Sequence, residues 1–143
     1  MTVGIILQGK GSDVITARGT TPLRDICSTL AEKGIGAILV TDAADHIEGI
    51  ISERDIVKTL AAKGPEALNL PASNVMTTAV VTCGEDDAIM DVMSKMTSGR
   101  FRHVPVLRDG KVVGLISIGD AVKYRIAQVE MEAEQMRTYI TMT

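Results

Sequence analysis

Gly49-Ile50-Ile51-Ser52-Glu53-Arg54-Asp55 returns 65 residues later as Gly114-Leu115-Ile116-Ser117-Ile118-Gly119-Asp120. The shared pattern is a glycine, two apolar residues, a serine and, three positions on, an aspartate. Serine is a favoured helix N-cap, and an acid in the first turn complements the helix dipole, so each stretch reads as a strand running straight into a helix. Capping alone accounts for Ser and Asp. It does not ask for glycine in both copies, and a hydroxyl with free N–H groups at a helix start also suits phosphate, while a first-turn carboxylate suits two neighbouring hydroxyls. Both readings stand on the motif alone, and its repetition favours ligand binding.

Working outward, a shift of 66 residues pairs Val14-Ile15-Thr16 with Val80-Val81-Thr82, and Leu23, Ile26 and Leu30 with Ile89, Val92 and Met96. A one-residue gap near Ala44 reconciles the two shifts, so the chain is two copies of one unit. In copy one the periodicity predicts a strand at Val14–Thr16 and a helix from Pro22 to Lys33, capped by Thr21 and ended by Gly34. Strands at Ala37–Thr41 and Ile47–Ser52 follow around the polar turn Asp42–His46. Copy two repeats this with Val80–Thr82, a helix over Asp87–Thr97, and strands His103–Leu107 and Val112–Ser117 around Arg108-Asp109-Gly110. The expected architecture is therefore α+β, two β-α-β-β-α repeats packed with pseudo-two-fold symmetry and with clefts between them. Its expected division is an N-terminal segment 1–11, repeat one at 12–64, a linker at 65–74, repeat two at 75–124 and a helical tail at 125–143.

The chain has 143 residues, 15 basic and 18 acidic, with 45% hydrophobic and 23% charged. A chain of this length buries roughly 68–70% of its unfolded surface as one core's worth of packing, which excludes disorder and small disulfide scaffolds. A net charge of -3 with only 2% aromatics argues against nucleic-acid binding, since neither a basic field nor stacking platforms are present. Val3–Leu7 is too short for a signal sequence and no 18-residue apolar run occurs, so a soluble, cytoplasmic protein without membrane partners is expected. Cys27 and Cys83 lie far apart without metal or redox spacing and are expected to be buried and inert.

Chemistry has few other candidates. Arg100-Phe101-Arg102-His103-Val104-Pro105-Val106 enters the middle strand of copy two, where the basic residues are either solvated charges or a small anion clamp. Copy one has Gly34-Ile35-Gly36-Ala37 there, so two sites would be unequal. Gly4-Ile5-Ile6-Leu7-Gln8-Gly9-Lys10-Gly11 has Walker A spacing, but Gly11 replaces the magnesium-binding hydroxyl and neither flanking element fits, so a terminal amphipathic turn is expected instead. His46 and His103 share no metal spacing, and no nucleophile, base or carboxylate pair assembles, so neither metal site nor catalytic residues are expected. Met90, Met93 and Met96 read as a core-facing stripe. Val122, Ile126, Val129, Ala133, Met136 and Ile140 alternate spacings of four and three, a seam that either folds back or pairs with a second subunit; a homodimer is expected.

The duplicated unit, with its Gly-apolar-apolar-Ser-x-x-Asp motifs and the Arg102-His103-Val104-Pro105-Val106 strand, resembles a cystathionine β-synthase (CBS) domain pair of the stand-alone bacterial type. That resemblance implies a non-enzymatic sensor, binding AMP foremost, or ADP, ATP or NAD(H), between its repeats and signalling to an unidentified regulated protein. It further implies that Asp55 and Asp120 hold ribose hydroxyls and that Ser52 and Ser117 contact ribose or phosphate. Thr16 or Thr82, with the middle strand at Ile38 or at Val104 and Pro105, would line adenine; Arg102, His103 and Arg54 would reach phosphates. A structural dimerisation module, in which the serines only cap helices, is the alternative.

Overall fold

A computed structural model describes residues 1–11 and 13–142; the expected first residue of repeat one, Ser12, and the last of the tail, Thr143, lie outside the described residues. The chain runs α1 (Val3–Lys10), β1 (Thr16–Ala17), α2 (Leu23–Lys33), β2 (Ala37–Thr41), β3 (Ile47–Ser52) and α3 (Glu53–Lys63). After two short 3-10 turns, Pro65–Asn69 and Ala72–Asn74, follow β4 (Cys83–Gly84), α4 (Ile89–Gly99), β5 (His103–Arg108), β6 (Lys111–Ser117) and α5 (Ile118–Met142). The result is the α+β duplication read from the sequence. Each repeat has one three-stranded sheet, ordered β1-β2-β3 or β4-β5-β6, in which the first strand pairs parallel to the second and the second antiparallel to the third.

Apolar runs around a polar turn placed both hairpins correctly: β2 is buried along its whole length, while β3 and β6 bury alternate residues, Gly49 and Ile51 or Gly114 and Ile116. Ile38 pairs with Ile51 in β2–β3, and Val104 with Ile116 in β5–β6. The short first strands differ from expectation: Thr16–Ala17 and Cys83–Gly84 replace Val14–Thr16 and Val80–Thr82, so Thr82 precedes β4 rather than lying within it. A pairing two residues long has no measurable period. Thr21 does not cap α2; Pro22 occupies that position, and the Thr21 hydroxyl instead accepts the Arg18 N–H at 3.1 Å in the preceding turn. The Asp87 start of the next helix also moves, to Ile89, because the Asp87 carboxylate accepts the Gly84 N–H at 2.8 Å and closes a turn.

Two hydrophobic clusters form, and each recruits a segment from outside its own repeat. Leu23, Ile26, Leu30, Ile38, Val40, Ile51 and Ile56 are joined by Ala67 and Ala72 from between the repeats. Ile89, Val92, Met96, Val104, Val106 and Ile116 are joined by Val3, Ile6 and Leu7 of α1, at the far end of the chain. Val3–Lys10 is thus a full helix, not a turn. It is held to repeat two by Val3 and Gly4 N–H groups donating to Asp87 and Glu85 carbonyls at 2.9 Å each. The methionine stripe is only partly core: Met96 is buried and Met93 half-buried, but Met90 is exposed, since α4 turns it away from the sheet.

The last helix continues unbroken for 25 residues, and only its start is packed. Val122, Ile126, Val129, Met136 and Ile140 are 41–63% exposed, so the seam does not fold back on its own module. Among the described residues no helix is long and apolar enough to cross a membrane.

Candidate functional site

Both motifs form the cap that their residue types dictate. In repeat one the Ser52 N–H and hydroxyl donate to Asp55 Oδ2 at 2.9 and 3.1 Å, while the Asp55 N–H donates to Ser52 Oγ at 3.3 Å. In repeat two the Ser117 N–H donates to Asp120 Oδ2 at 2.9 Å and the Asp120 N–H to Ser117 Oγ at 3.1 Å. These reciprocal bonds satisfy orphan donors at the starts of α3 and α5. They use one oxygen of each carboxylate.

The glycines have a packing cause, which corrects their reading as a ligand signal. A Cβ on Gly49 would lie 2.6 Å from Met76 Sδ and 2.9 Å from the Thr77 carbonyl; one on Gly114 would lie 2.6 Å from Leu7 Cδ2. In each repeat a segment entering from before the other repeat crosses the third strand at the motif glycine. At repeat one this crossing forms a bridge, with Thr77 N–H donating to Ile50 O at 2.9 Å and Ile50 N–H to Thr77 O at 3.0 Å. The Thr77 hydroxyl lies 3.4 Å from Asp55 Oδ1.

At repeat two the corresponding position is filled by Lys10. Its Nζ donates to the carbonyl of Leu115, the counterpart of Ile50, at 2.7 Å and to Asp120 Oδ2 at 2.5 Å. Burial opposes ionisation of Asp120, but the Lys10 ammonium and the Ser117 N–H and hydroxyl outweigh it and hold the carboxyl below the usual carboxylate range. Neither Lys10 nor Thr77 was singled out from the sequence as part of a site. In the sequence Lys10 carries only the incomplete Walker A spacing, and the repeat register is the signal that points to both crossings.

The repeats meet at the helix starts. Within each repeat the helix start is tied to the residue before the middle strand, Glu53 N–H donating to Gly36 O at 3.0 Å and, symmetrically, Ile118 N–H to Arg102 O at 2.7 Å. His103 reaches across this junction: a Cβ on Gly36 would lie 3.4 Å from its Cε1 and 3.7 Å from Glu53 Cδ. Burial, then the nearby Lys10 charge, with Arg102 adding to them, lower the His103 pKa against the pull of Asp120 and Glu53, so the ring is neutral at pH 7. Arg54 donates to the Arg100 carbonyl at 3.2 Å, and Arg54, Arg100 and Arg102 line a cleft of about 450 Å³ with Phe101, Met96 and Ile118. Arg100 adopts left-handed backbone, φ 58° and ψ 41°, where repeat one has Gly34 at φ 63° and ψ 39°.

Among the other expected residues, Thr16 is exposed in β1 beside Leu39, and Thr82 is half-buried ahead of β4. Ile38, Val104 and Pro105 are buried within their middle strands. Cys83 is buried, and desolvation pushes its thiol up to about 11; Cys27, expected to be buried, is half-buried and is raised by the same cause. Among the described residues no group of three or more His, Cys, Asp or Glu side chains is placed to hold a metal ion.

Two α+β units, each crossed at its third strand by a segment from outside it and each opening its last helix with the same Ser-Asp cap, define a duplicated module. The chain belongs to the CBS domain family, whose profile matches residues 11–62 and 72–127. A CBS-domain containing protein from Agrobacterium tumefaciens superposes with a TM-score of 0.85 at 42% identity, over 87% of this chain and 99% of that one. A second CBS domain pair, solved with 5-methylthioadenosine and S-adenosyl-L-methionine, matches at 26% identity and TM-score 0.80, over 90% of this chain and 98% of that one. The CBS domain-containing protein CBSCBSPB2 of Arabidopsis thaliana is 31% identical over 124 residues, 87% of this chain; the chain spans only 23% of that relative's length.

Proposed function

We propose that this protein is a non-enzymatic sensor that binds an adenosine-containing ligand in the clefts between its repeats. The carrying observation is that each capping carboxylate keeps an oxygen free of strong bonds: Asp55 Oδ1 meets only the Thr77 hydroxyl at 3.4 Å, and Asp120 Oδ1 accepts no hydrogen bond among the described residues. A carboxylate oxygen left without a strong hydrogen bond is suited to a ribose diol. The similar domain pair solved with 5-methylthioadenosine and S-adenosyl-L-methionine supports this class, since both ligands present adenine and ribose. In this reading Ser52 and Ser117 orient the carboxylates, and Thr16 or Thr82 lines the base with Ile38 or with Val104 and Pro105. Arg54, Arg102 and His103 receive phosphate, with AMP preferred and ADP, ATP and NAD(H) as further candidates. Ligand binding changes the affinity for a regulated partner, which requires tighter binding to one of two states.

Thermal unfolding of ligand-free protein with AMP, ATP, NAD and NADH tests this reading. A ligand at 100 times its Kd adds about 2.7 kcal/mol of apparent stability. A selective shift that Asp55→Ala and Asp120→Ala together abolish supports it. No shift with any of them refutes it.

A second reading, assembly without physiological nucleotide, is favoured by the exposed seam of α5, and homodimerisation through that seam belongs to both readings. Sedimentation of an Ile126→Glu variant as a monomer, against a dimeric parent, would establish the seam's role.

A further inference from the structure

The two crossings carry the same strand position in chemically different ways. Ile50 O and Leu115 O occupy equivalent places, one beside each motif; the first is satisfied by the Thr77 amide, the second by the Lys10 ammonium. The same two residues meet the motif carboxylates, Thr77 with a neutral hydroxyl and Lys10 with a charge. Among the described residues Asp55 has no cation on it, whereas Asp120 is paired with one. Lys10 is placed firmly enough to matter, because α1 is anchored by buried Val3, Ile6 and Leu7 and Leu7 presses on Gly114 beneath the same strand. An ammonium has three donors, two of which are in use here.

From this asymmetry we infer that Lys10 is a specificity-determining residue that makes the repeat-two cleft the site for phosphate-bearing adenosine ligands. The inference rests on the adenosine-binding reading above and assigns its two clefts different preferences. At Asp55 an incoming phosphate meets a carboxylate that no cation pairs with among the described residues. At Asp120 that charge is already neutralised and Arg102 lies nearby. One uncompensated unit charge in a half-buried site changes affinity by roughly tenfold or more. Uncharged nucleosides feel little of this difference.

The test uses the full chain carrying Asp55→Ala, so that the repeat-two cleft dominates binding, and isothermal titration with AMP and with adenosine. Adding Lys10→Met is expected to lower the AMP-to-adenosine affinity ratio by about tenfold, and Lys10→Arg to restore most of it. Lys10→Gln, measured alongside, serves if the methionine variant unfolds at the assay temperature. An unchanged ratio in the neutral variants overturns the inference while leaving nucleotide binding intact. So does an equal rise in affinity for both ligands, which would mean that Lys10 merely competes with ligand for Asp120. Binding of neither ligand to the parent or to the Asp55→Ala protein overturns the adenosine-binding reading, and the inference with it.

Discussion

Replacing Gly114 by alanine puts a methyl carbon 2.6 Å from Leu7 Cδ2, 2.8 Å from Cδ1 and 3.3 Å from Cγ. All three atoms belong to the Leu7 side chain, which is buried and must shift within its packed cluster to make room, and overpacking of this kind costs about 1–3 kcal/mol. Leu7→Ala removes a side chain that is 7% exposed, at the edge of its cluster, for about 2–3 kcal/mol. The two changes should not add, because the methyl at 114 enters the space vacated by Leu7. The double variant is expected to be about as stable as Leu7→Ala alone, a favourable coupling of at least 1 kcal/mol, or about 4 °C in Tm for a chain of this size. Urea denaturation followed by far-UV circular dichroism measures all four proteins. At Gly49 the outcome should be opposite. The added Cβ there meets the Thr77 carbonyl at 2.9 Å as well as Met76 Sδ, and that carbonyl cannot move without breaking its bridge to Ile50. Met76→Ala should therefore fail to rescue Gly49→Ala. Additivity within about 0.5 kcal/mol at Gly114, or full rescue at Gly49, would refute the crossing-segment account of the motif glycines.

His103 has its pKa lowered in the folded protein, so the unfolded chain takes up the proton first as pH falls. Its contribution to stability is therefore complete above about 6.5 and is lost as pH drops through the folded value. The decline in Tm between pH 7 and pH 5 is expected to flatten in His103→Gln; an equally steep decline would place the titration elsewhere. Arg100→Gly should raise stability by up to about 1 kcal/mol, since glycine accepts the left-handed backbone that its counterpart Gly34 adopts freely. The same variant should weaken AMP binding relative to adenosine; a loss of stability in urea would show that Arg100 is not strained.

The hairpins were legible because apolar runs, a polar turn and a capping serine all agree over Ala37–Ser52 and His103–Ser117. Local signals failed where long-range packing decides. Thr21 has the chemistry of a cap, but the chain is pinned at Pro22, where Leu23 N–H donates to Leu70 O and Ala72 N–H to Thr21 O. The motif glycines could be seen, but their cause lay in Met76 and Leu7, which no periodicity connects to them. Ser52, Asp55, Ser117 and Asp120 were legible as a repeated cap, whereas Lys10 was not, because 110 residues separate it from Asp120. The arginine cleft was half legible: Arg100, Arg102 and Arg54 stood out as basic, and only the fold brings them to one surface.

The helix that begins at Ser117 and Asp120 is also the element that leaves the module. At 1.5 Å per residue its 25 residues extend about 37 Å. Its first turn contains the repeat-two carboxylate, and its far half stands clear of the rest of the chain. It is therefore a lever with its fulcrum beside Ala121, buried in the core of repeat two, and its load arm in solvent. A tilt of about 5° at the fulcrum sweeps the tip through roughly 3 Å over that length. A displacement of that size exceeds the clearance between packed side chains, so a movement too small to notice at the cleft is enough to change which surfaces can meet at the other end.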